Sequence, residues 1–132
     1  MIEKNFLNYT QKCIIFYGIA FGMLKIHDQR ISHSNLNSQN ILINNDFEPW
    51  ISGFIIPKSN DDDEQNFSDI FSFGDLSYYL FAGDKINHNI KEKPKFPKDK
   101  EQSIINLISK CWETNLQMRL TFKKICEIIS DY

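Results

Sequence analysis

The segment covering residues 69–81 constrains the fold most, because its apolar residues lie on nearly every face of a helix. They are Ile70, Phe71, Phe73, Leu76, Tyr78, Tyr79, Leu80 and Phe81. Gly83 follows as a stop signal. A helix that is apolar all round is buried by other elements. We therefore predict a central helix over residues 69–81, enclosed in a chain whose 132 residues suit one domain.

Three further segments carry apolar residues at helical spacing and are predicted to pack around that helix. Residues 10–27 contain two apolar rows: Ile15, Ile19, Met23 and Ile26 in one, and Phe16, Ala20 and Leu24 in the other. Two rows indicate a deeply buried helix. Similar stripes predict helices over residues 100–112 and, behind the potential N-cap Thr121, over residues 121–130.

The remaining segments predict one small β-ribbon and two loops. Residues 41–43 and 50–52 are short runs rich in β-branched or aromatic residues, which indicates a hairpin. Residues 57–66 include an acidic run at 61–64, and we interpret them as a solvent-facing loop in preference to a metal site. Residues 91–100 alternate lysines with prolines and acidic residues, so they predict a second loop without a ligand. The expected fold is mainly α.

Composition excludes several functions. A net charge of −2 and a pI near 5.9 provide no general attraction for nucleic acid or anionic membranes. Cys13, Cys111 and Cys126 are widely spaced and odd in number, which argues against a disulfide framework or a zinc site. The longest uncharged run, residues 13–24, is too short to span a bilayer. We expect a cytoplasmic protein that binds neither nucleic acid nor membrane.

Two motifs near the middle of the chain resemble those of protein kinases. Residues 31–43 are similar to the catalytic loop H-R-D-L-x-x-x-N and its following strand, with His33, Leu36 and Asn40 retained. The segment 50–55 begins ten residues beyond Asn40, and within it Gly53 and Phe54 stand where kinases have D-F-G. Of that motif only the Phe remains.

Two later motifs extend the resemblance. Asp69 is placed like the Asp that begins the central kinase helix, and Trp112 and Arg119 lie in segments similar to the C-W … R-P-T-F ending of tyrosine-kinase-like kinases. Four motifs in this order identify residues 10–132 as resembling the carboxyl-terminal lobe of a kinase, a helical domain with a short β-ribbon. Residues 1–9 would be an N-terminal extension, and the amino-terminal lobe is expected to be absent.

The resemblance also implies that the catalytic groups are lost. Asn35 matches the catalytic Asp but its amide cannot act as a base, and Gly53 matches the magnesium-binding Asp but has no side chain. Asn40 could chelate a metal as in active kinases, yet we favour the interpretation that it braces the backbone at Asn35. We expect no catalytic residue, no metal site, and neither ATP nor Mg²⁺ as a cofactor.

The retained positions are therefore expected to be structural. By resemblance, His33 and Phe54 belong to an apolar spine, Asp69 anchors it, Leu42 underlies the adenine, and Arg119 lacks its family partner Glu. Without an amino-terminal lobe, we expect His33, Leu42 and Phe54 to be uncovered, and to bind a protein partner or a second copy. The favoured hypothesis is a pseudokinase-like interaction module. The alternatives are a part of a larger active kinase and a decaying gene fragment without function.

Overall fold

The computed structural model describes residues 7–53, 56–57, 63–83, 102–114 and 120–130, with only the backbone for residues 56–57 and 63–66. These residues form four α-helices, which we number in chain order: α1 Tyr9–Asp28, α2 Asp63–Ala82, α3 Gln102–Cys111 and α4 Phe122–Ser130. The fold is mainly α, which confirms the prediction from the apolar spacing.

Helix α1 begins one residue before the predicted start because Asn8 caps it. The Asn8 side chain accepts a hydrogen bond from the Gln11 N–H at 2.9 Å, and the Gln11 side chain accepts one from the Asn8 N–H at 3.0 Å. This reciprocal capping box satisfies two backbone donors that the helix itself leaves unpaired. Of the two predicted rows, Ile15, Phe16, Ile19, Ala20 and Met23 are buried.

Helix α2 begins at Asp63, six residues earlier than predicted, so the expectation of a loop through residue 66 was wrong. The error has a physical cause. The apolar pattern that marks the helix starts only at residue 67, whereas acidic residues are favoured in a first helical turn by the helix dipole. An acidic run was therefore interpreted as a loop although it also suits a helix start. Residues 58–62 of the predicted loop, and the lysine-rich residues 91–100, lie outside the described residues.

Aromatic contacts join the helices into one core. The ring of Phe16 on α1 stacks on Phe73 of α2 with centroids 5.4 Å apart and meets Phe81 edge-on at 5.5 Å. Phe73 in turn meets Phe122 of α4 at 5.4 Å. All four rings are 2% exposed or less. Such pairs stabilise a core by about 0.5–1.5 kcal/mol each beyond the area they bury.

Helices α3 and α4 occupy nearly the predicted ranges. Helix α3 ends at Cys111, one residue before the predicted end, and residues 100–101 lie outside the described residues. Thr121 caps α4 as predicted, since its hydroxyl accepts a hydrogen bond from the Lys124 N–H at 3.1 Å. Helix α3 packs against α2 at Gly74, where an added Cβ would lie 2.8 Å from both Cys111 Cβ and Trp112 Nε1.

The predicted hairpin is present, with its second strand one residue earlier than expected. Strand β2, Ile41–Ile43, pairs antiparallel with β3, Pro49–Ile51, so that Leu42 lies opposite Trp50. The Asn44 side chain closes the turn by accepting hydrogen bonds from the N–H groups of Asp46 and Glu48, both at 2.9 Å. We call this hairpin the β2–β3 ribbon.

The expectation of a single ribbon was wrong, because a second antiparallel pair is present. Strand β1, Ile31–Ser32, pairs with β4, Ile56–Pro57. Each strand has two residues and the paired positions are 24 and 26 residues apart in sequence, so neither an alternating pattern nor a turn signal marks them. This pair brings the segment after β3 back beside the start of the loop that follows β1.

The cysteines are free thiols, and two of them are buried. Burial, with a smaller effect from the Asp75 carboxylate, raises the pKa of Cys111 to about 12. Burial, with a smaller effect from Asp28, raises the pKa of Cys126 to about 11. Both therefore stay protonated and unreactive at neutral pH. No α-helix in the described ranges is both long enough and apolar enough to cross a bilayer.

Candidate functional site

The loop after β1 is held by one buried carboxylate of the central helix. Asp69, in the first half of α2, accepts the His33 N–H at 2.8 Å on Oδ2 and the Ser34 N–H at 2.8 Å on Oδ1. Ser34 adopts a left-handed conformation with φ 66°, which a non-glycine residue takes only where its surroundings fix it. The two backbone hydrogen bonds provide that constraint, so Asp69 determines how the loop leaves β1.

Sequence reasoning missed a third donor to Asp69. His27, at the end of α1, places its Nε2 2.8 Å from Asp69 Oδ2, and the edge of its ring contacts Phe122 of α4 with centroids 4.9 Å apart. The side chains of His27 and Asp69 are 11% and 1% exposed. A signal was available, because His27 lies four residues after Met23 on the buried row of α1. We call Asp69 with His27 and the His33 and Ser34 amides the Asp69 anchor.

The hydrogen bonds of the Asp69 anchor compensate for the burial of the Asp69 carboxylate. Burial by itself raises the pKa of Asp69, but the hydrogen bonds from His27, His33 and Ser34 outweigh that effect and lower the pKa below its ordinary value. Asp69 is therefore a carboxylate at neutral pH whose acceptor positions face protein donors. Its chemistry is used to hold three elements together, and it is not placed to accept a proton from a substrate.

His33 is fully buried, which contradicts the expectation that it lies on an uncovered face. Its Nδ1 accepts the Asn35 N–H at 3.1 Å, so the other ring nitrogen carries the proton and donates it to the Ser52 carbonyl oxygen. The cover comes from the chain itself, because the segment after β3 lies directly beside the ring. Phe54, the other spine position, lies outside the described residues.

The side chains that follow His33 form a set of mutually bonded amides, which we call the amide loop. Asn40 donates from Nδ2 to the Asn35 carbonyl oxygen at 2.7 Å, which is the contact expected if Asn40 braces the loop. Asn37 donates from Nδ2 to the side-chain oxygen of Asn35 at 3.1 Å. Carboxamides neither gain nor lose protons near neutral pH. The amide loop therefore offers no general acid or base.

Gly53 closes the other side of the amide loop. Its φ is +78°, and a Cβ at this position would lie 2.7 Å from both Cγ and Oδ1 of Asn40. The Ser52 N–H and hydroxyl donate to the Asn40 carbonyl oxygen at 2.8 and 3.0 Å, which fixes the two segments side by side. Any side chain at position 53 would therefore have to displace the Asn40 amide.

The β2–β3 ribbon presents Leu42 and Trp50 to solvent. Leu42 is 53% exposed and Trp50 64% exposed, whereas Ile41, whose side chain points the other way, is fully buried. The exposure of Leu42 agrees with the expectation for this position. The Trp112 side chain is bound to α2, since its Nε1 donates a hydrogen bond to Asp75 Oδ1 at 2.7 Å. Arg119 lies outside the described residues.

A cleft of about 400 Å³ lies between the amide loop and one face of α2. Its lining combines neutral hydrogen-bonding groups, an apolar floor and one carboxylate: Leu36, Asn37, Ser38, Gln39, Ser72, Asp75, Leu76 and Tyr79. The carboxylate is that of Asp75, which already accepts a hydrogen bond from Trp112. The cleft is thus adjacent to the position of Asn35 but adds no group arranged for proton transfer.

Comparison with known proteins places this geometry in context. No family model matches the chain. The chain is 27% identical to the RGS domain-containing serine/threonine-protein kinase A of Dictyostelium discoideum, in a match that covers 93% of the chain. It is 26% identical to a probable LIM domain-containing serine/threonine-protein kinase of that organism, in a match that covers 96% of the chain. The chain is distantly similar to serine/threonine protein kinases. A G-type lectin S-receptor-like serine/threonine-protein kinase of Arabidopsis thaliana is 26% identical over 80%. The chain spans 14–16% of the length of these three relatives.

Kinase chemistry requires Mg²⁺ and ATP, and the described residues around the amide loop fit the metal poorly. Mg²⁺ prefers carboxylate oxygens in octahedral geometry. Position 53 supplies no side chain, and the Asn40 amide is directed to Asn35 and packed against Gly53. Within the described ranges, no three His, Cys, Asp or Glu side chains are grouped to hold a metal ion. Among the described residues of the amide loop, the side-chain oxygens are those of neutral amides and hydroxyls, and none is a carboxylate.

Proposed function

We propose that this chain is a non-catalytic, pseudokinase-like module, related to the carboxyl-terminal lobe of tyrosine-kinase-like kinases, which acts by binding another protein in the cytoplasm. The proposal rests on the contact of Asn40 with the Asn35 carbonyl and on the close approach of Gly53 to the Asn40 amide. Together they engage the Asn40 side chain, which stands at a metal-chelating position of the kinase pattern, within the chain itself.

The loss of the base supports this proposal on chemical grounds. Phosphoryl transfer needs a carboxylate to orient or deprotonate the incoming hydroxyl. Asn35 is neutral, and its side-chain oxygen already accepts a hydrogen bond from Asn37. The nearest described carboxylates are committed elsewhere, Asp69 to three donors and Asp75 to Trp112. No described group near Asn35 replaces the missing charge.

The retained anchor supports a structural role for the same loop. Asp69 is 1% exposed and links α1, α2 and the start of the loop through bonds of 2.8 Å. A loop held in this way keeps its shape without a ligand, so it can present a fixed surface. We therefore infer that the module works through its surface and needs neither ATP nor Mg²⁺.

The proposal is tested by titrating the purified protein with Mg·ATP in a thermal-shift assay and by assaying transfer of radiolabelled phosphate to a generic protein substrate. A ligand present at 100 times its dissociation constant stabilises a fold by about 2.7 kcal/mol, so binding at millimolar nucleotide would be easy to detect. We expect no saturable shift and no transfer. An active kinase assayed in parallel controls for the reagents.

The opposite result would favour the alternative that the chain is part of a larger active kinase. The small share of the relatives' length that the chain covers is compatible with this alternative. That result would be a magnesium-dependent shift, or phosphate transfer that the Asn40→Ala variant lacks. Asn40→Ala is the informative variant because Asn40 stands at the position that would chelate a metal in a kinase. An inactive module would give the same null response for both proteins.

A further inference from the structure

The outer face of the β2–β3 ribbon combines exposed apolar groups with acidic side chains. Leu42 and Trp50 lie directly opposite each other across the two strands and are 53% and 64% exposed. The inner face, by contrast, contacts α1, where Pro49 packs against Gly18 and Ile51 against Gly22. The exposure of an aromatic and an aliphatic side chain is thus confined to the outer side of the ribbon.

Acidic groups flank this pair. The Asn44 N–H donates to the Glu48 carbonyl oxygen at 3.1 Å, which continues the ladder by one residue pair beyond β3. Glu48 therefore lies two residues from Trp50, on the same side of the ribbon. Asp46, in the turn, is exposed as well. Among the described residues, neither carboxylate has a cationic partner within 4 Å.

We propose that this face binds a short basic segment of a partner protein. A lysine or arginine side chain would stack on the Trp50 ring and pair with Glu48, and a neighbouring apolar side chain would cover Leu42. A cation over an indole face gains about 0.5–2 kcal/mol, and tryptophan is the preferred ring for this contact. The proposal deepens the proposed function, on which it rests, by naming the chemistry of the partner.

Charge favours this occupant over a second copy of the chain. A two-fold dimer through the same face would place two copies of one acidic surface, each with Glu48 and Asp46, against each other. Like charges brought together in this way oppose association, whereas a basic segment would neutralise them. The limited apolar surface, confined to Leu42 and Trp50, also suits a short segment better than a broad interface, which typically buries about 800 Å² on each partner.

The test uses a capped hexapeptide of alternating arginine and leucine, with a glutamate–leucine hexapeptide as the charge-reversed control. Binding is followed by tryptophan fluorescence and isothermal titration calorimetry at low salt. We expect saturable binding of the basic peptide, weakened by added salt, and no binding of the acidic one. The response should come from Trp50, since Trp112 donates to Asp75 on α2 and is only partly exposed.

Variants locate the site. Trp50→Ala should weaken binding of the basic peptide at least tenfold, and Glu48→Gln about fivefold. Glu48→Lys should reverse the preference towards the acidic peptide, which tests the site without removing the ring. Phe21→Ala is the matched control, because Phe21 is an exposed aromatic residue of α1, 40% exposed, and should leave binding unchanged. Circular dichroism of each variant checks the fold.

Three results would overturn the proposal: no binding of the basic peptide, equal binding of both peptides, or equal effects of Trp50→Ala and Phe21→Ala. None of them bears on catalysis, so the proposed loss of catalysis would stand. Conversely, phosphate transfer together with binding of the basic peptide through Trp50 would contradict the proposed loss of catalysis but support the proposed peptide-binding site.

Discussion

The Asp69 anchor and the amide loop are neighbours in the structure but are built in opposite ways. In the anchor, a buried charge joins groups from three segments, and the His27 and Asp69 positions are 42 residues apart. In the amide loop, neutral side chains bond to groups at most five residues away, and Asn35 is exposed. The comparison shows that the loop is held by long-range bonds to a buried charge, whereas its own side chains are neutral and bond locally.

The largest expected effect is that of Asp69→Ala. The substitution leaves the His33 and Ser34 N–H groups without their acceptor and removes the partner of His27. Breaking such a buried charged network costs about 3–5 kcal/mol of unfolding free energy. Urea denaturation followed by circular dichroism measures this loss. Asp46→Ala, which removes an exposed carboxylate of the turn, is the control and should change stability by less than about 0.5 kcal/mol.

If Asp69→Ala were no more destabilising than Asp46→Ala, the anchor would not be the framework of the loop. The contrast between the two regions would then disappear, because the Asp69 anchor would stabilise the protein no more than an exposed carboxylate does. A loss confined to the anchor variant would instead show that burial and long-range bonding, and not charge alone, account for the difference.

Acid should weaken the same anchor gradually. Burial, the largest single influence, raises the pKa of Asp69. The hydrogen bonds from His27, His33 and Ser34 together outweigh it, so the pKa in the folded protein lies below the ordinary value of 3.8. Its contribution to stability is therefore complete above the pKa of the unfolded chain and is lost as pH falls through the lower folded value. Urea denaturation between pH 5 and pH 3 should show the difference between the protein and its Asp69→Asn variant shrinking. A constant difference would contradict the lowered pKa.

Gly53→Ala should have an intermediate effect on the amide loop. A methyl group at φ +78° is strained by about 1–2 kcal/mol, and its Cβ would also lie 2.7 Å from the Asn40 side chain. Gly83→Ala is a useful comparison, because Gly83 has φ +86° but nothing within 4 Å of the added Cβ. Both variants should lose stability through strain, and only Gly53→Ala should also disturb the Asn40 amide resonances in an NMR spectrum. Equal spectra would show that the close approach is absent in solution.

Asn40→Ala should have the smallest effect. It removes the 2.7 Å hydrogen bond to the Asn35 carbonyl oxygen, whose partly exposed partner can turn to water, so the loss should be about 1 kcal/mol. Gln39→Ala, an exposed neighbour, should be neutral within about 0.5 kcal/mol. A loss for Asn40→Ala as large as that of Asp69→Ala would remove the contrast between a strong anchor and a weakly held loop.

The elements of the fold were largely predictable because their signals are local. Apolar residues spaced three and four apart determine helices α1, α2, α3 and α4, and the predicted boundaries of α1, α3 and α4 differ from the observed ones by two residues or fewer at the ends that can be compared. The start of α2 was missed because its first turns are polar. The pairing of β1 with β4 was missed because two-residue strands far apart in sequence carry no periodic signal.

Sequence reasoning named residues of the loop but not most of their contacts. The spacing of His33, Asn35 and Asn40 identified a loop similar to that of kinases, and the bond from Asn40 to Asn35 is the one expected of a bracing amide. The burial of His33 and the role of His27 were not predicted. Each depends on groups brought in from elsewhere, the Ser52 carbonyl for His33 and Asp69 for His27.

The sequence by itself therefore determined which helices form and that positions 35 and 53 carry no carboxylate, because helical periodicity and residue identity are both local facts. Only the tertiary structure decided that His33 is covered by the chain, that His27 completes the Asp69 anchor, and that Gly53 abuts Asn40. The physical reason is that burial and hydrogen bonding across 13 to 42 positions depend on how helices and ribbons pack, which no local pattern of residues records.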